Sequence, residues 1–401
     1  MTPAEPGEIS AAMPPMTPPV TPPVTPLVTP PVTPPTGRDP RVDVFRGIAL
    51  AMIFIDHVPD NLYTGYTLWT LGWSDAAEGF VLMSGISAGL AYGLYFRRPM
   101  RFWTGLGRVW RRVWTIYLVH ILVTVCGMAA TAAVASWYAN PDLLQMNQIG
   151  YLLDDPVSFL RGIPILTQQL DYGDILPMYL ALIFAAPIVL ILAWRRPWLL
   201  LAGSVALWLA TQIWRLNLPS ATREFGWYFN PFAWQLIFVI GVATGVALKD
   251  GRRLVPVSRW LQGLSALVLL GAAAGLLWPA FAKLFHHALW QAQRAGWPPY
   301  LIGVEKTFLP LPRVLHAVAL AYFLSSWPWV RQFCGAVGMK PFALLGRQAL
   351  PVFAFGSIMV FAIQTIREQI GFTLWQDTWM LATGLCAMLA LAAARQYWPK
   401  D

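Results

Sequence analysis

Charge is scarce in this 401-residue chain: 12% of its residues are charged and 57% are hydrophobic. A soluble globular domain carries about 25% charged residues, and a mean hydropathy of +0.53 excludes that class. Cysteine is rarer still. Cys126, Cys334 and Cys386 stand in apolar contexts, too few for a disulfide framework or a metal centre, and read as packing residues. None of the five histidines belongs to a paired zinc-binding pattern on one helix face. His286 and His287 are adjacent in what reads as an exposed loop, so no metal is expected. Residues 1–37 contain no apolar run, which argues against a cleaved signal peptide and makes the first span its own anchor.

What the chain has instead is long apolar runs. Ten of them, near 43–59, 75–96, 113–137, 174–194, 197–214, 231–248, 260–282, 313–330, 349–366 and 378–395, approach or exceed the length needed to cross a hydrocarbon core. The expected fold is all-α: a polytopic membrane bundle of about ten transmembrane helices. With the N-terminus inside, 20 of the 28 basic residues fall on the cytoplasmic side, among them Arg38, Arg41, Arg46, Arg97, Arg98, Arg101 and Lys400. Both termini are therefore expected in the cytoplasm. The net charge of +9 reports this orientation, and no nucleic-acid partner is expected.

Residues 17–36 repeat Thr-Pro-Pro-Val with small variations, a composition that denies a hydrogen-bonded ladder or a core. Two regions follow: a disordered tail at 1–37 and a membrane domain at 38–401. Asp39-Pro40 supplies an N-cap and a first-turn proline for span one. The longer outside loops are 138–173, 215–230 and 283–312, and the first of these mixes enough Leu, Ile and Phe with its polar residues to lie in the interface or dip inward. Gly85, Gly89 and Gly93, and again Gly241 and Gly245, recur every fourth residue, a spacing that lets helix backbones pack closely.

Asp56-His57 lies within the first apolar run. An ionisable group there costs roughly 2.5–3.5 kcal/mol on insertion scales, so it needs a reason. Span two returns from outside with Asp75 and Glu78 three residues apart, on one helix face and near the level of His57. Asp171, Asp174, Asn230, Glu305 and His316 enter from the same side, which predicts a polar pocket opening outward. A histidine among carboxylates has the parts of a general base. Asp56 points about 100° around the helix from His57, so Glu78 or Asp75 is the expected partner of the imidazole. A lone buried histidine such as His120 or His316 is equally well explained as a helix–helix hydrogen bond.

The opposite face collects Arg97, Arg98, Arg101, Arg108, Arg111 and Arg112 in a loop between spans two and three, interleaved with Phe102, Trp103, Trp110 and Trp114. Guanidinium groups suit phosphate bidentately. Plain topology and anionic-lipid binding account for the same residues.

Several of these segments together resemble the OpgC family: Arg41-Val-Asp-Val-Phe-Arg46-Gly47, Phe54-Ile-Asp56-His57, Ser74-Asp75-Ala-Ala-Glu78, Ser84-Gly85, Gly173-Asp174-Ile-Leu-Pro-Met-Tyr179, Phe229-Asn230-Pro-Phe-Ala-Trp234-Gln235 and Gly346-Arg347-Gln348-Ala-Leu-Pro351. The likeness runs from residue 38 to about 395. Such proteins are integral membrane succinyltransferases of osmoregulated periplasmic glucans, related to the acyltransferase-3 type. The resemblance implies a bacterial inner-membrane O-acyltransferase that takes acyl-CoA, with succinyl-CoA expected, from the cytoplasm and a glucan hydroxyl from the periplasm.

Arg108-Val-Trp-Arg111 looks like the donor-side Arg-x-x-Arg element, and His57 corresponds to the first-span histidine. On this reading His57 is the base, Glu78 or Asp75 holds it, and Asp56 and His316 shape its pocket. Arg46, Arg108, Arg111, Arg112 and His120 are the expected donor-binding residues; Asp174, Asn230, Trp234 and Glu305 are the expected acceptor-binding residues. Met83-Ser84-Gly85-Ile86 and the long tail depart from the family pattern. Membrane lipid is the other expected partner, and the sequence leaves oligomeric state open.

The rival from another class is a proton-coupled transporter or flippase, because buried acids and histidine also build proton relays. No internal symmetry of the kind common in transporters is visible between the halves. Thermal-shift titration with coenzyme A separates the two: ligand stabilisation is expected for the acyltransferase, and no shift for the transporter.

Overall fold

The computed structural model describes residues 1–2, 39–371 and 373–398. Residues 3–37 of the tail expected to be disordered, Arg38 and Lys400 lie outside those residues. Among the described residues the chain is helical and has no strand. The order is α1 (Pro40–Asp56), α2 (Ala76–Tyr92), α3 (Phe102–Trp137), α4 (Tyr151–Asp154), α5 (Pro156–Gly162), α6 (Ile175–Arg195), α7 (Pro197–Trp214) and α8 (Pro231–Lys249). Then come α9 (Arg259–Leu277), α10 (Pro279–Arg294), α11 (Pro299–Ile302), α12 (Leu311–Ser326), α13 (Pro328–Gly335), α14 (Lys340–Arg347), α15 (Ala349–Ile370) and α16 (Leu374–Tyr397).

Proline marks where many of these helices begin. It occupies the first turn of α1, α5, α7, α8, α10, α12, α13 and α14, where its missing N–H costs nothing and its fixed φ suits a helix. Asp39, Asp75, Asn230 and Thr373 cap α1, α2, α8 and α16 with side-chain oxygens, satisfying backbone donors that a helix start leaves unpaired.

All ten predicted runs are helices, but only seven, α3, α6, α7, α8, α9, α15 and α16, are long and apolar enough to cross a membrane. The other three, α1, α2 and α12, have 17, 17 and 16 residues. At ~1.5 Å per residue they reach roughly 25 Å, short of a core about 30 Å thick. All three are cut short at the same end. Helix α1 stops at Asp56, α2 starts after Asp75, and α12 starts two residues before Arg313. Irregular backbone at membrane depth is tolerated only inside protein or beside a cavity, so the sites where these helices end are where the fold has built something polar.

Two predicted loops are helical instead. Arg108, Arg111 and Arg112 stand in the first turns of α3, and His286 and His287 belong to α10.

The core lies where α1, α2, α3, α6, α8 and α15 meet, with Trp234, Phe238, Phe361, Leu50, Ile116 and Met178 under 2% exposed. The closest pairing is α2 on α8, and the glycine spacing read from the sequence explains it. A Cβ added at Gly89 would lie 2.6 Å from the Val242 carbonyl oxygen and 2.8 Å from the Val246 nitrogen, and one at Gly85 would lie 3.1 Å from the Gly241 Cα. Gly47 and Gly346 do the same between α1 and α14, each facing the partner's backbone at Phe342 and Asp43. Backbone cannot move aside as a side-chain tip can. Gly89→Ala should therefore lower the melting temperature in detergent, by about 1–3 kcal/mol of overpacking. Gly263→Ala, where nothing lies within 4 Å, should hold or slightly raise it by helix propensity.

Candidate functional site

At the end where α1, α2 and α12 fall short, four charges are gathered, three of them buried. Asp75 caps α2 through the Ala77 N–H at 2.8 Å, and Glu78 accepts from the Asp75 N–H at 2.9 Å, completing a capping box. Arg313 reaches across from α12, donating from Nε to Glu78 Oε1 at 2.6 Å and from Nη2 to Asp75 Oδ2 at 3.0 Å. Lys306 places Nζ 2.8 Å from the same Asp75 oxygen. Glu78 is 0% exposed and Arg313 4%. Two carboxylates and two cations cancel, which is how charge this deep is kept.

Lys306 sits in the segment 303–310 ahead of α12, and its backbone is held by donors from neighbouring helices. Trp234 Nε1 donates to the Lys306 carbonyl at 3.1 Å, Trp208 Nε1 to Leu309 at 2.9 Å, and Gln212 Nε2 to Phe308. Buried carbonyls without water need such partners. The ammonium lies 5.3 Å from the centre of the Phe229 ring. Its charge acts on Asp56, His57, Asp75, Glu78, Asp174 and Tyr228, which makes Lys306 the electrostatic hub of this end.

His57 forms the C-cap of α1, its N–H bonding back to Ile53 at 3.0 Å. Gln364 donates to the His57 carbonyl, and Arg367 donates to that of Pro59 while pairing with Asp377 at 2.7 Å. The imidazole faces the Tyr172 ring at 4.6 Å. Tyr172 holds a left-handed φ of 64°, a conformation that a bulky residue keeps only where its surroundings impose it.

The structure brings His57, Asp56, Asp75 and Glu78 to one region, as the sequence predicts, but corrects their pairing. The carboxylates of Glu78 and Asp75 are taken by Arg313, Lys306 and backbone, and among the described residues neither is hydrogen-bonded to His57. Asp56 accepts from Thr67 Oγ1 at 2.7 Å. His316 bonds through Nδ1 to Ser74 Oγ at 2.6 Å and packs its other face against Gly72, so it fixes the segment leading into Asp75.

The expected acceptor-binding residues are also committed elsewhere. Asp174 pairs with Arg223 at 3.3 Å. Asn230 caps α8 and donates to Leu216 at 2.6 Å. Trp234 holds Lys306. Glu305, with its side chain 51% exposed, pairs with Arg215 at 3.2 Å on the surface. Asn230 and Trp234 spend their side-chain donors on backbone carbonyls of this end, whereas Glu305 stands half-exposed at the surface.

The larger of two cavities lies toward the arginine-rich end, where the resemblance implies donor binding, and two of the five expected donor-binding residues, Arg46 and Arg112, line it. It measures about 160 Å³ and is lined by Arg46, Ser84, Ser87, Tyr92, Arg112 and Tyr179 together with apolar groups. A void of ~150 Å³ accepts a benzene molecule, so this one has room for a short acyl group. Arg46 donates to Met83 O at 3.0 Å and to Ser87 Oγ. Arg112 and Arg108, four residues apart, share a face of α3, and Arg108 stacks over Tyr95 at 4.8 Å. Arg111 is exposed on another face, and His120 is fully buried without lining the cavity. The helix period that the sequence reading did not apply to this segment separates Arg112 from Arg111. A second void, about 10 Å³, touches His57. Phe353 lines both voids.

A family model described as OpgC protein matches residues 38–400. The chain belongs to the OpgC family. Membership carries a transferase role in glucan modification, and the apolar helices fit a membrane protein of that kind. No match to the chain was found among curated proteins or solved structures.

The family motifs did not point to Lys306 or Arg313. A signal existed: both belong to the eight basic residues outside the inner-face count, and five of those eight, Arg215, Arg223, Lys306, Arg313 and Arg367, form ion pairs with acids. A basic residue on the side that disfavours it invites a search for its partner.

Arg313→Ala leaves Glu78 buried and unpaired, and should cost about 3–5 kcal/mol, read as a loss of thermal stability in detergent. Adding Glu78→Gln to Arg313→Gln should regain part of that loss, because Asp75 and Lys306 then remain as a balanced pair.

Proposed function

We propose that the chain is an O-acyltransferase moving a short acyl group, succinyl in the first instance, from cytoplasmic acyl-CoA to a hydroxyl of a periplasmic glucan. One observation carries this reading: a cavity lined by arginine and sized for a short acyl group shares a wall residue, Phe353, with the void at His57. The arginine-rich end is then the cytoplasmic one. Arg112, with Arg108 behind it, holds phosphate groups of the donor at the mouth. Arg46, deeper in the same cavity, favours an acyl group that ends in its own carboxylate.

At the other end the glucan hydroxyl meets His57. The imidazole takes its proton as the oxygen attacks the thioester carbonyl, the C–S bond breaks, and coenzyme A leaves as thiolate, to be reprotonated by the imidazolium or by water. Lys306, held by Asp75, supplies positive charge to this region as the carbonyl oxygen becomes anionic. Tyr172 and the backbone bonds from Gln364 and Arg367 fix the ring where a carboxylate would otherwise do so.

His57→Ala should abolish acyl transfer in reconstituted protein while leaving the melting temperature within a few degrees of wild type; retained transfer would refute the assignment. Arg112→Gln should raise the KM for acyl-CoA with little change in kcat, as expected for a remote, uniform contact. Arg111→Gln should leave both unchanged.

A further inference from the structure

Helices α1 and α15 run past both voids, and each passes from one to the other in the same direction. On α1, Arg46 lines the larger void and His57 the smaller; on α15, Leu350 lines the larger, and Gly356 and Ser357 the smaller. Phe353 stands between, on both walls. It is 5% exposed, and its ring centre lies 6.4 Å from that of Phe80, another residue of the larger void. The void against His57, about 10 Å³, is near the lower limit of ~10–15 Å³ for holding one water and has no room for an acyl group. Phe353, the lining residue common to both voids, therefore stands on the way from a thioester carbonyl in the larger void to the imidazole.

We propose that Phe353 is the gate of the acyl passage. With its ring in place the voids are separate; with the ring turned aside they merge and the acyl carbonyl reaches His57. Two consequences follow from its size and position. The space it vacates sets how long an acyl chain can pass. While closed, it keeps water at the His57 end from the thioester, and so prevents hydrolysis, in which water adds to the carbonyl, the C–S bond breaks, and a free carboxylic acid and coenzyme A thiol are released. Gly356 limits the passage from the other wall: a methyl group there would lie 3.3 Å from Met388 Sδ and 3.6 Å from Phe54 Cδ2, a tight but adjustable fit that narrows the smaller void. This inference rests on the acyl-transfer reading.

The test compares wild type, Phe353→Leu, Phe353→Ala and Gly356→Ala, each reconstituted in lipid, with acyl-CoA donors of increasing chain length. Phe353→Ala should raise kcat/KM for longer acyl groups relative to succinyl by roughly tenfold or more, the scale on which added methylenes are discriminated. It should also raise donor hydrolysis in the absence of glucan. Phe353→Leu should shift the same way by less, and Gly356→Ala should shift selectivity toward shorter groups. Folded variants with unchanged chain-length ratios, alongside an active wild type, would overturn the gate.

A second readout does not need acyl transfer. Ser357→Cys, in a chain whose Cys126, Cys334 and Cys386 are replaced by serine, is treated with a thiol reagent from the arginine-rich side. Its labelling should quicken several-fold when Phe353→Ala is added. Equal labelling overturns the gate on its own, whereas faster labelling with no transfer from any acyl-CoA would keep the gate and sink the function assigned to it.

Discussion

Two carboxylates and two cations, brought from the start of α2, the start of α12 and the segment before it, hold one end of this bundle together. Removing any one of the four leaves a buried charge uncompensated, a larger loss than the net worth of the set. The cluster also explains why α1, α2 and α12 are shorter than a membrane crossing. Their missing turns are replaced by irregular backbone packed into protein, where Trp208, Gln212 and Trp234 satisfy its carbonyls. Asp75 and Glu78 therefore do structural work that leaves them unavailable as partners of the imidazole. His57 is aimed instead by backbone bonds and by the Tyr172 ring.

The packing that supports this end is of a different kind. Glycine-to-backbone contacts between α2 and α8, and between α1 and α14, bring helix axes close enough that no side chain intervenes. Between such rigid pairs, α1, α2, α3, α6 and α15 leave the arginine-lined cavity. Rigid backbone on several sides confines movement to side chains, and Phe353 is the side chain that lines both voids.

Helix positions were legible in the sequence because lipid imposes a simple rule: a run of apolar residues must satisfy its own backbone, and all ten runs are helices. The glycine stripes were legible for the same reason, since close approach needs small residues at fixed spacing. Only the partner was missing, and Gly241 and Gly245 supplied it. Partners of charged groups were much less legible. Glu78 lies 235 residues from Arg313, and no local pattern ties the two together. Arg112 could be told from Arg111 only once α3 was known to begin at Phe102, because 100° of helix rotation decides which of two adjacent arginines faces a cavity.

The sequence by itself determined that this chain is helical, apolar and bound for a membrane, that ionisable groups are gathered near Asp56-His57 and guanidinium groups elsewhere, and that it falls in the OpgC family. All but the last of these properties depend on composition and on periods a few residues long; the family rests on the match over residues 38–400. The tertiary structure alone decided which charge neutralises which, that Lys306 and Arg313 occupy Asp75 and Glu78, and that Phe353 lines two voids. These depend on where distant segments meet, and Coulomb attraction and steric exclusion act between neighbours in space, whatever their separation along the chain.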